Sequence, residues 1–192
     1  MLQLRETGKN FCFGKDAVDT KVRYFELTMW PHMRAAYNLA RWLVRNDQDA
    51  EDIVQESFLK AFKAQESFRG SEAKSWMLAI VRNTAMDFRR RLKAGLAVPL
   101  GDEGHEPEDD SPDPESALVA ESRREQVRQA ISKLAEEFRE VIVLREIEGL
   151  AYKEIAAVLG IPMGTVMSRL SRARNLLLVE LSGSKEVQHD LR

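Results

Sequence analysis

The chain has 192 residues, 44% hydrophobic and 31% charged, enough to bury a core in one or two domains and too short for most multidomain enzymes. No run approaches the roughly 18 apolar residues of a membrane span, and residues 1–10 are too polar for a signal peptide, so the chain is expected in the cytosol. A single cysteine, Cys12, excludes an internal disulfide, and His32, His105 and His189 lie far apart without ligand spacing, which argues against metal and thiol chemistry.

The net charge of −2 conceals three blocks. Residues 1–98 carry 17 basic and 12 acidic side chains, 99–121 carry none and 9, and 122–192 carry 12 and 10. Two mildly basic blocks around an acidic stretch fit a polyanionic partner for the blocks but not for the stretch. In the first block apolar residues recur at three- and four-residue spacing from Tyr24: Phe25, Leu27 and Met29, then Met33, Ala36, Tyr37, Ala40, Leu43 and Val44. Pro31 is expected to bend or divide that helix. Asn46 and Asp47 offer caps, after which Ile53, Val54, Ser57, Phe58, Ala61 and Phe62 mark one face of a helix about 14 residues long. Its early turns carry Asp49, Glu51, Asp52 and Glu56 and its later turns Lys60 and Lys63, a distribution the helix dipole by itself favours. A loop at residues 68–72 leads to a third helix, lined by Trp76, Met77, Ile80, Val81, Thr84 and Phe88 and ending in Arg89, Arg90 and Arg91. Trp76, on the apolar face, reads as a core anchor, and no strand is called for.

Residues 101–114 combine prolines that oppose a helix with self-repelling acids that favour extension, the composition of a solvated tether. The 23 residues 94–116 reach about 78 Å fully extended and average about 26 Å as a coil. In the last block Val127, Ile131, Leu134 and Phe138 predict one amphipathic helix, and Val141, Ile142, Leu144 and Ile147 another that Gly149 ends. A short helix over 152–159, a turn at Gly160, Ile161 and Pro162, and a final helix from Gly164 to about Leu181 form a helix-turn-helix. Ala156 lets the helices approach, Gly160 can take the left-handed conformation, and Pro162 can start the next helix. On that helix Val166, Leu170, Ala173 and Leu177 share one face, so Met167, Ser168, Ser171 and Arg172 point outward with Arg169 beside them. Such a face can read a major groove, because Arg is the commonest reader of guanine and Ser and Arg both hold phosphates. A plain helical hairpin with a solvated basic face would carry the same pattern.

The segments YKEIAAVLG at 152–160 and GTVMSRLSRAR at 164–174 resemble region four, the promoter-reading domain, of extracytoplasmic-function (ECF) sigma factors. In the first block DAEDIVQESFLKA at 49–61 and WMLAIVRNTA at 76–85 are similar to region two of the same family. The fold implied is all-α: a region-two-like helical bundle and a region-four-like helix-turn-helix domain joined by a flexible acidic linker. Its expected division is an N-terminal tail (1–20), region two (21–95), linker (96–121), region four (122–185) and a C-terminal tail (186–192).

The function implied is that of a transcription initiation factor, not an enzyme, which binds core RNA polymerase and directs it to promoters without a cofactor, metal or small-molecule substrate. By the same resemblance Asp49, Glu51, Asp52, Gln55 and Glu56 form the dock for the basic clamp helices of the largest polymerase subunit, and opposite charges would speed and orient that association. For Asp49 and Glu51, acids placed only by the helix dipole remain an alternative. Region four would meet the flap of the second-largest subunit. Phe68, Ser71 and Asn83 supply the aromatic and hydrogen-bonding groups that capture a base extruded from the melted minus-10 element. Arg82, Arg89 and Arg90, with Arg91, would hold phosphates, a helix C-terminal charge cluster being the competing view of the arginine run. Thr165, Met167, Ser168, Arg169, Ser171 and Arg172 match the minus-35 readers. Met167 stands where Lys or Arg is frequent in the family and Ser171 where a larger residue can occur, which alters the expected contacts. Because the two elements lie at least about 35–70 Å apart, the linker must stretch when both domains engage. In the family it threads towards the active cleft, where an acidic chain can imitate nucleic acid. An anti-sigma factor, often membrane-bound, is a further expected partner, with no membrane insertion of the chain itself.

Two other classes compete. A helix-turn-helix regulator acting at operators without polymerase docking would need neither the clamp motif nor the melting loop. A mimic that only sequesters an anti-sigma factor would need none of Ser168, Arg169 and Arg172. For an enzyme the sequence offers no phosphate-binding glycine loop, metal cluster or nucleophile with its base.

Overall fold

The structure, a computed structural model, describes residues 15–68, 72–95 and 114–189. Ser71 and most of the acidic stretch, 96–113, lie outside the described residues. Helix α1 (Lys15–Met29) starts ahead of the apolar pattern and within the stretch 1–20. It buries Phe25 and Met29, whereas Tyr24 and Leu27 are exposed, so only part of the expected stripe faces inward. Pro31 divides the segment: a 3-10 turn (Trp30–His32) separates α1 from α2 (Met33–Val44), since proline cannot supply the amide donor of a continuous helix.

Helix α2 ends at Arg45, a non-glycine residue in the left-handed region at φ 62°. Asn46 then caps α3 (Asp47–Ala64), its side-chain oxygen accepting from the Asp49 amide at 2.9 Å, and the helix runs 18 residues rather than 14. After a second 3-10 turn (Gln65–Ser67), α4 (Ala73–Lys93) ends in the arginine run as expected. Helices α2, α3 and α4 pack on one another around Leu39, Ile53, Met77, Leu78 and Val81. Burial of each such side chain stabilises the fold by about 1.5–3 kcal/mol. Phe25 attaches α1 through edge contacts with Phe58 and Phe62, at centroid distances of 6.1 and 5.3 Å.

Helix α5 (Pro114–Lys133) begins at a proline, which fits a first helical position, so residues 114–121 of the stretch read as tether are helical. Phe138 does not continue the helix of Val127; it belongs to a separate α6 (Glu136–Ile142). The break coincides with a cap. The buried Arg139 guanidinium turns back to donate to the carbonyls of Ile131, Ser132 and Leu134 at the end of α5, and reaches Trp42 at the end of α2. Helix α6 passes into a π-helical turn (Val143–Ile147), and Gly149 follows at φ 72°. Val127 and Ile147 are exposed, contrary to their place in the apolar pattern.

The helix-turn-helix follows. In α7 (Tyr152–Leu159) the Glu154 carboxylate accepts from the Ala151 amide at 2.7 Å, and Gly160 closes the helix at φ 66°. The Pro162 carbonyl accepts the amides of Thr165 and Val166, starting α8 (Met163–His189), which runs beyond the expected end near Leu181. Helices α5, α6 and α7 pack on α8 around Val141, Ile142, Leu144, Ile155 and Leu170. The described residues contain no strand. The two halves are in contact, α4 on α7 and α2 on α6, and their apolar side chains form one continuous cluster.

Candidate nucleic-acid and protein interfaces

Glu51, Asp52 and Gln55 are exposed along one side of α3. Asp49 is only 4% exposed; its position in the turn capped by Asn46 withdraws it from that face. Glu56 turns instead towards α4, 2.8 Å from Lys60 Nζ and 3.3 Å from Arg91 Nη2. The hydrogen bond from Lys60 is the main reason its carboxyl ionises below the usual carboxylate range. Beside Glu51 and Gln55 lies a groove of about 640 Å³ that Trp30, Met33, Tyr37 and Val54 also line. Trp30 is 59% exposed, and its place in the sequence gave no sign of this. An exposed aromatic and apolar centre with a charged edge is the make-up of a protein-binding surface.

Phe68 is half-buried, its ring 5.0 Å from that of Trp76 and tilted by 42°. Both pack against the core, in keeping with the reading of Trp76 as an anchor. On α4, Asn83 and Arg90 are exposed, Arg90 ion-paired with Asp87 one turn back. Arg82 and Arg89 share another face, two turns apart, and that face meets the second half of the chain. Arg82 Nε lies 2.9 Å from Glu140 Oε1, with Nη2 at 3.5 Å from Oε2. Arg89 Nη1 lies 2.5 Å from Glu136 Oε1, an ion pair without hydrogen-bond alignment. In this conformation both arginines therefore face carboxylates rather than an open phosphate path. Lys74 Nζ completes the row, 3.0 Å from Glu148 Oε2, and Asn38 donates to the other oxygen of Glu148 at 3.2 Å.

On α8 the residues Met167, Ser168, Ser171 and Arg172 are exposed as the periodicity required. Thr165 and Arg169 are half-buried: Arg169 pairs with Glu137 at 3.3 Å, and the Ser168 hydroxyl donates to the Thr165 carbonyl at 3.0 Å. Arg174, one turn beyond Ser171, is tied to Glu146 at 2.7 Å. The residues that sequence reasoning missed are Glu136, Glu140, Glu148 and Arg139. Their one trace is the acid-rich start of α6, which a helix N-terminus favours in any case, and no spacing rule reaches across the 58 residues between Arg82 and Glu140. Among the described residues no helix is long and apolar enough to cross a membrane, and no cluster of His, Cys, Asp and Glu could hold a metal ion.

Two helical units in this order, the second presenting an exposed recognition helix, define a two-part helix-turn-helix protein. Residues 31–95 match the family model Sigma-70 region 2, and residues 124–177 match Sigma-70, region 4. The RNA polymerase sigma-H factor of Pseudomonas aeruginosa is 36% identical over 163 residues, covering 81% of this chain and 84% of its own. The ECF RNA polymerase sigma-E factor of Salmonella typhimurium is 39% identical over 139 residues, 67% of this chain and 72% of its own. Among solved structures, the sigma factor RpoE in complex with the anti-sigma factor NepR from Bartonella quintana aligns with a TM-score of 0.67 at 28% identity, covering 83% of this chain and 98% of that one. CnrH in complex with the cytosolic domain of CnrY aligns with a TM-score of 0.61, also at 28% identity, over 88% of this chain and 94% of that one. The chain belongs to the ECF RNA polymerase sigma factor family.

Proposed function

We propose that this sigma factor binds core RNA polymerase in the cytoplasm and directs it to promoters, acting through binding and DNA melting rather than as an enzyme. One observation carries the reading: a single chain holds both an acidic face with an apolar groove on α3 and an exposed Ser/Arg face on α8. Glu51, Asp52 and Gln55 dock on the basic clamp helices of the largest subunit, Trp30 and Tyr37 fill the centre of that contact, and Asp49 serves by shaping the capped turn. Glu56 contributes at the edge once drawn away from Lys60 and Arg91.

Phe68 on its Trp76 platform, with Ser71 and Asn83, receives the extruded minus-10 base, while Arg82, Arg89 and Arg90 hold phosphates. Ser168, Arg169, Ser171 and Arg172 read the minus-35 groove beside Thr165 and Met167, with region four also meeting the flap of the second-largest subunit. The acidic linker bridges the two domains inside the polymerase. An anti-sigma factor restrains the chain, a reading supported by the similarity to sigma factors solved with such partners.

The test is assembly with bacterial core polymerase, comparing the parent chain with Asp52→Lys. A stable complex is expected, weakened at least about tenfold by the charge reversal. If the parent chain fails to bind core polymerase, the reading falls and a regulator acting at operators without docking takes its place.

A further inference from the structure

Helices α2 and α5 leave between them a cavity of about 420 Å³, within the size range of small-molecule sites, which shares no lining residue with the groove beside Glu51. Arg41 lines it from α2, Arg45 from the left-handed residue that ends α2, and Arg128 and Ser132 from α5. Asp47 is the one carboxylate among the described residues that line it.

The charges around this cavity do not balance. Arg41 is paired with Asp47 at 2.6 Å, and Arg128 with Glu125 at 2.7 Å. Arg45 instead donates to the Ser132 carbonyl near the end of α5, and the buried Arg139 guanidinium donates to the same oxygen at 3.0 Å. Two cations therefore meet at one carbonyl. A helix C-terminus supplies only about half a negative charge to answer them. Glu136 and Glu140, the acids whose field reaches Arg139, are engaged with Arg89 and Arg82. Burial first, and then the neighbouring charge of Arg45, hold the Arg139 guanidinium below its ordinary pKa, the mark of two like charges forced together. The wall of the cavity thus carries a surplus of positive charge that an anion would neutralise.

The residue types narrow the anion. A guanidinium forks onto phosphate oxygens with two parallel hydrogen bonds, and three of them reach this cavity from two helices. Each guanidinium has five N–H donors, so Arg41 and Arg128 can keep their carboxylates and still donate to a phosphate. Trp42, also on the wall, is an aromatic surface on which a base can stack. We infer that the cavity between α2 and α5 is a binding site for a phosphate-bearing small molecule, its phosphates held by Arg41, Arg45 and Arg128. Nucleotides and inorganic polyphosphates share that chemistry, and the contribution of Trp42 separates them.

The test is isothermal titration calorimetry of the full chain with ATP and with inorganic tripolyphosphate. One equivalent per chain of at least one ligand is expected to bind, about tenfold or more weakly in Arg45→Asn and in Arg128→Gln, as the loss of a charged hydrogen bond implies. Asparagine tolerates the left-handed φ of 62°, so Arg45→Asn keeps the turn, and circular dichroism checks that both variants are folded. Tighter binding of ATP than of tripolyphosphate assigns the site to a nucleotide, with its base on Trp42; equal or tighter binding of tripolyphosphate assigns it to a phosphate chain alone. Arg172→Gln, on the exposed face of α8, is expected to leave the affinity as it is. No binding of either ligand to the parent overturns the site, as does unchanged affinity in the folded cavity variants. An equal loss in Arg172→Gln overturns it too, since the anions would then answer positive charge anywhere on the chain.

Discussion

Glu56 and Glu51 lie five residues apart on one helix and meet different fates. Glu51 faces the groove and solvent, whereas Glu56 accepts a hydrogen bond from Lys60 and a second from Arg91. Held by these cations, the Glu56 carboxyl ionises below its ordinary range in the folded chain. A lowered folded value means that the unfolded chain binds the proton more readily as pH falls. Its stabilisation is therefore present above the unfolded value of about 4.3 and is lost as pH drops through the folded value. The side chain is 41% exposed, so screening keeps the contribution below about 1 kcal/mol. Urea midpoints measured from about pH 6 down to about pH 3, a window that brackets the ordinary carboxylate range, are expected to fall less steeply in Glu56→Gln than in the parent. Identical acid limbs would show that the pairing contributes nothing.

At the scale of elements, the turn between α7 and α8 is a local device. Gly160 sits at φ 66°, and a Cβ added there would meet nothing within 4 Å, so Gly160→Ala costs only the backbone strain of the left-handed region. A loss of about 1 kcal/mol is expected from chemical denaturation, with the face of α8 intact. A loss several times larger would mean that the alanine forces α7 and α8 apart. This turn was legible in the sequence because glycine, proline and the apolar spacing act within a dozen residues. The break between α5 and α6 was not, because it is tied to Arg139 carbonyl contacts that include Trp42, 97 residues away. The family resemblance placed Asp49 on the docking face, and the Asn46 cap withdraws it: neither the motif nor the dipole rule, which locates an acid along a helix, gives its depth in the capped turn.

At the scale of the molecule, one apolar cluster and the ion pairs of α4 join the halves, so they are expected to unfold together. The three tryptophans, Trp30, Trp42 and Trp76, all lie in the first half, so their fluorescence reports that half and its contact at Trp42, while circular dichroism reports both halves. The two thermal transitions are expected to coincide in the parent. Arg139→Met, which takes from the Leu134 carbonyl its guanidinium donor at about 1–3 kcal/mol and loosens the ends of α5 and α2, is expected to move the circular dichroism transition below that of the fluorescence. Separate transitions in the parent would instead make the halves independent.

The sequence by itself determined the helical class, the helix-turn-helix, the outward face of α8 and the family, because each rests on periodicity, turn chemistry or motifs that act over short stretches of chain. Only the tertiary structure decided which charges are open and which are spent. Arg82 and Arg89 read as holders of phosphate until the fold sets Glu140 and Glu136 against them, and Lys74, which no pattern singled out, meets Glu148 in the same row. Trp30, which the apolar pattern passed over, is left at the surface where Pro31 turns the chain. Pairing between distant segments depends on how packed helices face one another, and that is fixed by the core as a whole rather than by any local pattern.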